Sequence, residues 1–195
     1  MDPTSQYALA YALTTTAGLR GFLTLLAASI ATHVGWIHPT AAFAWLGSDG
    51  AMAVLAVFSG LEFVGDKVPI VDHALHVVQT GVRPLAAAIL VGATAPTESH
   101  AQLYSLMALG AVNALVVHGA SVTARAASTT ATLGAGNVVL SLVEDAVAIV
   151  GIVLSFVAPV VAAILALALV ITIVLVARAW YRRARAPHAS AAVPR

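Results

Sequence analysis

Charged residues are scarce in this sequence, and cysteine is absent. Only 9 lysines and arginines and 8 aspartates and glutamates occur in 195 residues, so charged side chains make up 9% of the chain. Soluble domains carry roughly 25% charged residues, and this chain has too few to coat a soluble surface. The absence of cysteine excludes disulfides and thiol chemistry. A net charge of +1, without a basic patch along a groove, argues against a nucleic-acid partner.

Hydrophobic residues are abundant, at 61% of the chain, and the mean hydropathy is +0.97. They occur in long runs, whereas a transmembrane β-barrel needs short alternating segments. The composition therefore predicts an all-α polytopic membrane protein. Because a span takes about 20 mostly apolar residues, we expect six transmembrane helices at about 8–32, 51–65, 72–93, 103–126, 138–157 and 160–176. Residues 1–177 then form a single transmembrane domain, with a loop at 128–137 and a basic tail at 178–195.

The distribution of basic residues predicts the orientation of the chain. The tail contains a cluster of arginines, namely Arg178, Arg182, Arg183, Arg185 and Arg195. Basic residues favour the cytoplasmic side of a membrane, so we expect the tail in the cytoplasm. With six spans the N-terminus is cytoplasmic too, and the first helix is a retained span because no basic n-region precedes it. The predicted location is the plasma membrane, with the lipid bilayer as the main partner.

A weak internal repeat relates the two halves. Residues 78–91 resemble residues 153–166, with Pro84 aligned with Pro159. Two units of three spans must have opposite orientations in the membrane, which is the inverted-repeat plan of many secondary transporters. The sequence is therefore compatible with two inverted three-helix repeats.

Ionisable residues concentrate in residues 59–84, between two hydrophobic segments. Pro69 within this stretch predicts a helix break, because proline lacks a backbone donor and disfavours helix at the preceding residue. Ionisable groups near hydrocarbon are expensive, usually face a bundle interior and often mark a functional site. The candidate site residues are Glu62, Asp66, Lys67, Asp72, His76, Arg83, Glu144 and Asp145, with Arg20, His118 and Arg125 in support.

Several interpretations of these charges stay open. A water-lined cavity could move an ion or small solute, with acids binding a cation or proton and bases holding an anion or lipid phosphate. Alternatively, the charges pair to lock a non-transporting scaffold. No cofactor is expected, although Asp72, His73 and His76 could ligate a divalent metal. No catalytic fingerprint is present, so an intramembrane enzyme is the least favoured of the open interpretations. A homodimer is compatible with the many small residues.

Five blocks of the sequence resemble a known family, the bacterial integral-membrane family called domain of unknown function 4126. The blocks are GLRGFLTLL at 18–26, FAWLGS at 43–48, LEFVGDKVPIVDHALHVVQTGVRPLAAAIL at 61–90, VHGASVTAR at 117–125 and GNVVLSLVEDAVAI at 136–149. The resemblance spans about residues 17–160. It implies a membrane location and no established activity or substrate.

Overall fold

A computed structural model describes the backbone of residues 1–65, 67 and 69–184, and their side chains except at 69–76 and 184. This part of the chain folds into seven α-helices and one 3-10 helix. In chain order they are α1 (Pro3–Leu19), α2 (Gly21–His33), the 3-10 helix η1 (Ala41–Gly47), α3 (Asp49–Gly65), α4 (Pro69–Thr94), α5 (His100–Thr132), α6 (Ala135–Val157) and α7 (Pro159–Ala184).

Helix α1 lies at the centre of the bundle and packs against α4, α5, α6 and α7. From Leu9 to Leu19 its side chains are buried on nearly every face, including Leu13 and Ala17, which have no exposed surface. A helix buried all round must satisfy its polar groups internally. The hydroxyl of Thr14 accordingly donates to the carbonyl of Tyr11 at 2.7 Å, and that of Thr16 donates to the carbonyl of Leu13 at 3.0 Å.

Helices α2, η1 and α3 form a second group of packed elements. The Ser29 hydroxyl on α2 donates to the carbonyl of Leu46 in η1 at 2.6 Å, and Leu46 is fully buried. The rings of Phe22 on α2 and Phe58 on α3 stack with their centroids 5.0 Å apart. The connection between α2 and α3 therefore folds onto the bundle.

Four described helices are long and apolar enough to cross a membrane: α4 (from Val77), α5, α6 and α7. The pair η1 and α3 meets the same test together, with a bend of 63° between them, and would make a fifth span. Exposed surfaces of α6 and α7 are rich in valine, leucine and isoleucine, which is the surface that lipid covers. An all-helical membrane protein is thereby confirmed, whereas six separate spans are not.

The helix boundaries differ from the prediction at three places, one of which is the end of α7, which continues to Ala184 instead of ending near residue 176. The first predicted span, at 8–32, is interrupted at Arg20 and forms two helices. The predicted loop at 128–137 is wrong, because α5 continues to Thr132 and only Leu133 and Gly134, both with positive φ, form the turn. Serine and threonine are tolerated inside the helix here, where their hydroxyls bond to carbonyls of the preceding turn, as Thr132 does to Ser128 at 2.7 Å.

The aligned prolines of the weak repeat have different structural contexts. Pro84 lies in the interior of α4, which continues through it to Thr94. Pro159 instead begins α7 directly after Ala158, the non-helical residue that ends α6. The structure therefore does not confirm an inverted repeat.

Candidate functional site

The site begins at the interruption of the central helix. Arg20 has an extended backbone, with φ −141° and ψ 91°. It is the C-cap residue of α1 and also the N-cap residue of α2. Arg20 and Gly21 are buried. Helix ends leave unpaired carbonyls at one terminus and unpaired N–H groups at the other, with partial charges of opposite sign. The break therefore places both kinds of helix end inside the bundle.

Tight packing fixes the end of α1 against α5. A Cβ atom added at Gly18 would lie 2.7 Å from Cβ of Val117 and 2.8 Å from the carbonyl oxygen of Ala114. Such distances are shorter than real Cβ contacts, so only glycine allows this approach of the two helices. The last turn of α1 is therefore held directly on α5.

Glu62 on α3 caps the N-terminus of α2. Its Oε1 accepts from the backbone N–H of Gly21 and its Oε2 accepts from that of Phe22, each at 3.2 Å. Only 2% of Glu62 is exposed. A carboxylate at a helix N-terminus satisfies orphan donors and offsets the positive end of the helix dipole. Glu62 thus provides the negative charge at one side of the break.

Arg83 on α4 caps the C-terminus of α1 on the other side. Its Nη1 donates to the carbonyl of Gly18 at 2.8 Å, and the residue has no exposed surface. Its Nη2 donates to Oε1 of Gln79 and lies 3.9 Å from Oε1 of Glu62. Nε2 of Gln79 in turn donates to Glu62 at 3.3 Å. The two capping charges are therefore joined directly and through one amide.

His118 on α5 completes this first cluster. Nη1 of Arg83 lies 2.9 Å from Nδ1 of His118, and Nε2 of His118 lies 3.2 Å from the hydroxyl of Thr80. A guanidinium can only donate hydrogen bonds, so Nδ1 must be an acceptor. The network thereby assigns a neutral ring with its proton on Nε2. His118 is 3% exposed, whereas Thr80 lies at the surface of the bundle.

A second cluster surrounds the side chain of Arg20. Its Nε lies 2.7 Å from Oδ1 of Asp145 on α6, and its Nη2 donates to the hydroxyl of Ser141 at 3.1 Å. Lys67 lies 3.0 Å from the other carboxylate oxygen of Asp145 and also over the ring of Phe63, 3.6 Å from its centroid. Two cations therefore share the carboxylate of Asp145, and they link the break to α6 and to the connection after α3.

A third cluster ties α5 to α6. Nη2 of Arg125 lies 2.6 Å from Oε2 of Glu144, and the hydroxyl of Ser121 donates to Oε1 of the same carboxylate. Adjacent residues on a helix point in different directions. Glu144 and its neighbour Asp145 consequently belong to different clusters.

The described part of the chain places the predicted residues in these three clusters, all with partners: Glu62, Arg83 and His118 in the first, Arg20, Lys67 and Asp145 in the second, and Arg125 and Glu144 in the third. Asp66, and the side chains of Asp72, His73 and His76, lie outside the described residues. Among the described side chains, no group of three or more histidines, aspartates and glutamates could hold a metal ion. The metal prediction combined Asp72, His73 and His76 with a carboxylate from Glu62, Asp66, Glu144 or Asp145, and it stays a prediction.

The sequence reasoning missed the backbone groups of the site. The acceptor and donors at the break are the carbonyl of Gly18 and the N–H groups of Gly21 and Phe22. The available signal was the pair of glycines flanking a charged residue in Gly18-Leu19-Arg20-Gly21. Two glycines with an arginine between them in an apolar run indicate that the helix can be interrupted there.

Two apolar grooves lie beside the clusters. One, of about 400 Å³, runs between α1, α6 and α7 and is lined by residues such as Thr16, Gly151 and Leu165. The other, of about 440 Å³, runs between α1, α4, α5 and α7 and includes Tyr11 and Asn113. Neither groove has a charged residue in its lining, so both are separate from the charged clusters.

The whole arrangement lies within a region that matches a known family. Residues 7–179 match the family described as domain of unknown function (DUF4126). The chain belongs to this family. The match covers most of the chain and confirms the resemblance seen in the sequence blocks. The chain matches no curated protein and no solved structure.

Proposed function

We propose that this protein is a small membrane transporter that moves an ion or small solute past the break between α1 and α2. The observation that supports this is the interruption itself, with Glu62 on one helix end and Arg83 on the other. Transporters commonly place such half-helix ends at the substrate site. Irregular backbone at membrane depth is tolerated only where protein or water covers it.

In this proposal each charge at the break has a role. Glu62 binds a cation or a proton, and its carboxylate then leaves the N–H groups of α2. Arg83 and Lys67 balance charge or hold an anion, including the phosphate of a lipid. The described conformation, in which protein groups satisfy one another, is the unloaded state. Three further acidic or histidine residues on either side of Lys67, namely Asp66, Asp72 and His76, remain candidate ligands.

A topology of six spans is the expectation from the sequence. In that topology, helices α1 and α2 together form one broken span, and η1 and α3 together form a second. The four helices α4 to α7 are one span each, which gives six spans in total. Both termini then face the cytoplasm from the plasma membrane, in agreement with the arginines near the end of α7. Two inverted units of three spans, α1–α4 and α5–α7, would meet at the break.

A second candidate is a scaffold that transports nothing and acts through a partner, which could be a second copy of the chain. The observation that favours it is the pairing of the buried charges, since Arg20, Arg83 and Arg125 each lie against a carboxylate. Buried ion pairs can serve to fix one arrangement of helices. An intramembrane enzyme is less favoured, because no catalytic fingerprint accompanies the charges.

Ligand-dependent stability followed by flux tests the two candidates. The purified protein would be heated in detergent with a panel of monovalent and divalent cations, chloride and phosphate at several pH values. Bound solutes stabilise the state that binds them. Any solute that raises the melting temperature would then be followed into proteoliposomes.

The variant Glu62→Gln is compared with Glu98→Gln, the same chemical change at an exposed position. For a transporter we expect a selective shift and flux in the wild type and in Glu98→Gln, and neither in a folded Glu62→Gln. An absence of any selective shift, together with misfolding of Glu62→Gln, would instead favour the scaffold.

A further inference from the structure

We propose that α1 and α2 form a re-entrant hairpin, which enters the membrane and returns to the same side, with the break at Arg20 as its tip. The chain then crosses the membrane five times, and the start of α1 and the end of α7 lie on opposite sides. This arrangement revises the six-span topology expected from the sequence at one point, the direction of α1. It does not depend on whether the protein transports a solute.

The start of α1 lies beside the connection between α4 and α5. The hydroxyl of Tyr7 donates to the carbonyl of Pro96 at 2.6 Å, and Nε2 of Gln102 donates to the Tyr7 hydroxyl at 3.0 Å. Pro96 belongs to that connection, and Gln102 lies in the first turn of α5. Groups joined by hydrogen bonds lie at the same depth in a membrane, so the start of α1 and this connection are on one side. The six-span topology would place them on opposite sides.

From this side, α1 runs parallel to α5 until the break. One turn before the break, Nδ2 of Asn113 on α5 donates to the hydroxyls of Thr14 and Thr15, each at 2.8 Å. At the end of α1, Gly18 packs directly on Val117. The contacts therefore advance together along both helices, which fixes the direction of α1 relative to α5.

Helix α6 runs in the opposite direction along α1. Its residue Asp145 contacts Arg20 at the break, and Gly151 packs on the side chain of Thr16. Further along α6, Phe156 must therefore lie level with the first half of α1. The end of α6 is thus on the side from which α1 enters.

Helix α2 returns to that same side. Directly after α2, the ring of Trp36 has its centroid 6.3 Å from that of Phe156. In η1, which follows, the ring of Phe43 packs on Gly92 near the end of α4. Both contacts are with helix ends that lie beside the start of α1. Helices α1 and α2 therefore have antiparallel directions and do not form one span.

The lengths of the helices place the tip of the hairpin near the middle of the bilayer. From Tyr7 to Arg20 the chain rises about 20 Å, and from Val117 to Thr132 α5 rises about 22 Å. Together these distances come close to the thickness of a bilayer with its headgroup regions, about 40–45 Å. Helix α2 has 13 residues and rises about 20 Å, which is too short for a hydrocarbon core of about 30 Å. Helix ends at the midplane are where many transporters hold their solutes, so the hairpin is compatible with the proposed function.

Hydropathy gives the same number of crossings. In the described part of the chain, the segments that are long and apolar enough to cross are α4 to α7 and the bent pair of η1 and α3. Helix α2 is classed with the shorter apolar helices. A hairpin with five spans therefore assigns a crossing to each segment that can make one.

The basic residues assign the two sides. Residues 1–19, 33–50 and 94–102 contain no lysine or arginine, and the hairpin brings the starts and connections within these ranges to one side. Lys67 and the arginines near the end of α7 lie toward the other side. Basic residues favour the cytoplasmic side, so the start of α1 faces the outside and the end of α7 faces the cytoplasm.

Labelling of single cysteines tests the topology, because the chain contains no cysteine of its own. Thr4 is exposed at the start of α1, Glu98 is exposed in the α4–α5 connection, and Ala131 is exposed in the last turn of α5. Cells that express Thr4→Cys, Glu98→Cys or Ala131→Cys are treated with a membrane-impermeant maleimide before and after permeabilisation. We expect Thr4→Cys and Glu98→Cys to react in intact cells, and Ala131→Cys to react only after permeabilisation.

Thr4→Cys is the variant that separates the two topologies. If it is protected together with Ala131→Cys while Glu98→Cys reacts, α1 crosses the membrane and the hairpin is overturned. If Ala131→Cys alone reacts in intact cells, the hairpin is supported and its orientation is overturned.

Cross-linking tests the hairpin without reference to the two sides of the membrane. A short bifunctional maleimide should join the thiols of Tyr7→Cys and Gln102→Cys in the folded protein, and mass spectrometry would identify the linked peptides. The control pair, Tyr7→Cys and Ala131→Cys, lies at opposite ends of α5 and should not be joined. A folded protein in which the first pair is not joined would contradict the hairpin.

These results are separate from those of the transport experiment, because labelling and cross-linking require no solute. A protein without flux that shows the expected labelling would refute the proposed function and leave the hairpin standing. A working transporter with Thr4→Cys protected and Glu98→Cys labelled would do the opposite.

Discussion

Glu62 and Arg83 cap opposite ends of one interrupted helix, and Oε1 of Glu62 lies 3.9 Å from Nη2 of Arg83. Each side chain offsets the partial charge of a helix end of opposite sign. The charges of Glu62 and Arg83 also offset each other. The ion pair and the break are therefore one structure, and a change at either charge alters both helix ends. This relationship leads to predictions that can be checked without knowing the solute.

Removal of the carboxylate should be strongly destabilising. Glu62→Ala leaves the N–H groups of Gly21 and Phe22 without their acceptor and leaves Arg83 without its nearby acid. Breaking a buried charge pair from one side costs about 3–5 kcal/mol. Glu62→Gln retains one acceptor, so we expect a smaller loss of about 1–3 kcal/mol. Unfolding in a denaturing detergent series measures both, and equal stability of Glu62→Ala and wild type would contradict the capping role.

Glycine at the contact between α1 and α5 should not be replaceable. A methyl group at Gly18 would meet backbone atoms of α5, and overpacking of this kind costs about 1–3 kcal/mol. Gly119→Ala is the matched control, since no atom lies within 4 Å of a Cβ there and alanine favours helix by about 1 kcal/mol. Thermal melts of the two variants should therefore shift in opposite directions. If Gly18→Ala were as stable as the wild type, the contact between α1 and α5 at this position would not require glycine.

The two cations on Asp145 should differ in importance. The side chain of Arg20 is 1% exposed, whereas that of Lys67 is 27% exposed. Removing the buried partner in Arg20→Ala should cost about 3–5 kcal/mol. Lys67→Ala should cost less than about 1 kcal/mol, because its ammonium is partly exposed to solvent and Asp145 keeps Arg20 as a partner. Comparison of the two unfolding curves tests whether Arg20→Ala is more destabilising than Lys67→Ala. A higher salt concentration should not reverse that ranking.

Arg125 and Glu144 should behave as a coupled pair. Arg125→Met and Glu144→Leu each leave a buried charge behind, whereas the double variant removes both. We therefore expect the double variant to be more stable than the sum of the single changes predicts, by about 0.5–3 kcal/mol. Arg182→Met, at an exposed position of α7, combined with Glu144→Leu provides the control and should be additive. An additive result for Arg125 and Glu144 would mean that their contact contributes nothing.

Part of this arrangement could be predicted from the sequence because helix geometry is regular. Gln79 and Arg83 are four residues apart and so share a face of α4, which is where the structure has them. The break at Arg20 could not be found in the same way, because an apolar run on both sides gives one continuous hydropathy peak. The packing of the helices around α1 decides which acid pairs with which base. Glu144 and Asp145 are neighbours in the sequence, and nothing local in the sequence indicates that they have different partners.

The single extended residue at Arg20 has a mechanical consequence. The last turn of α1 is held on α5 at Gly18, and α2 packs on α3, α4 and η1. Backbone hydrogen bonds of the helical ladder resist bending, and the interruption is where that ladder ends. The helical ladder therefore does not set the angle between α1 and α2 at Arg20, and the packing of α2 on α3, α4 and η1 sets it instead.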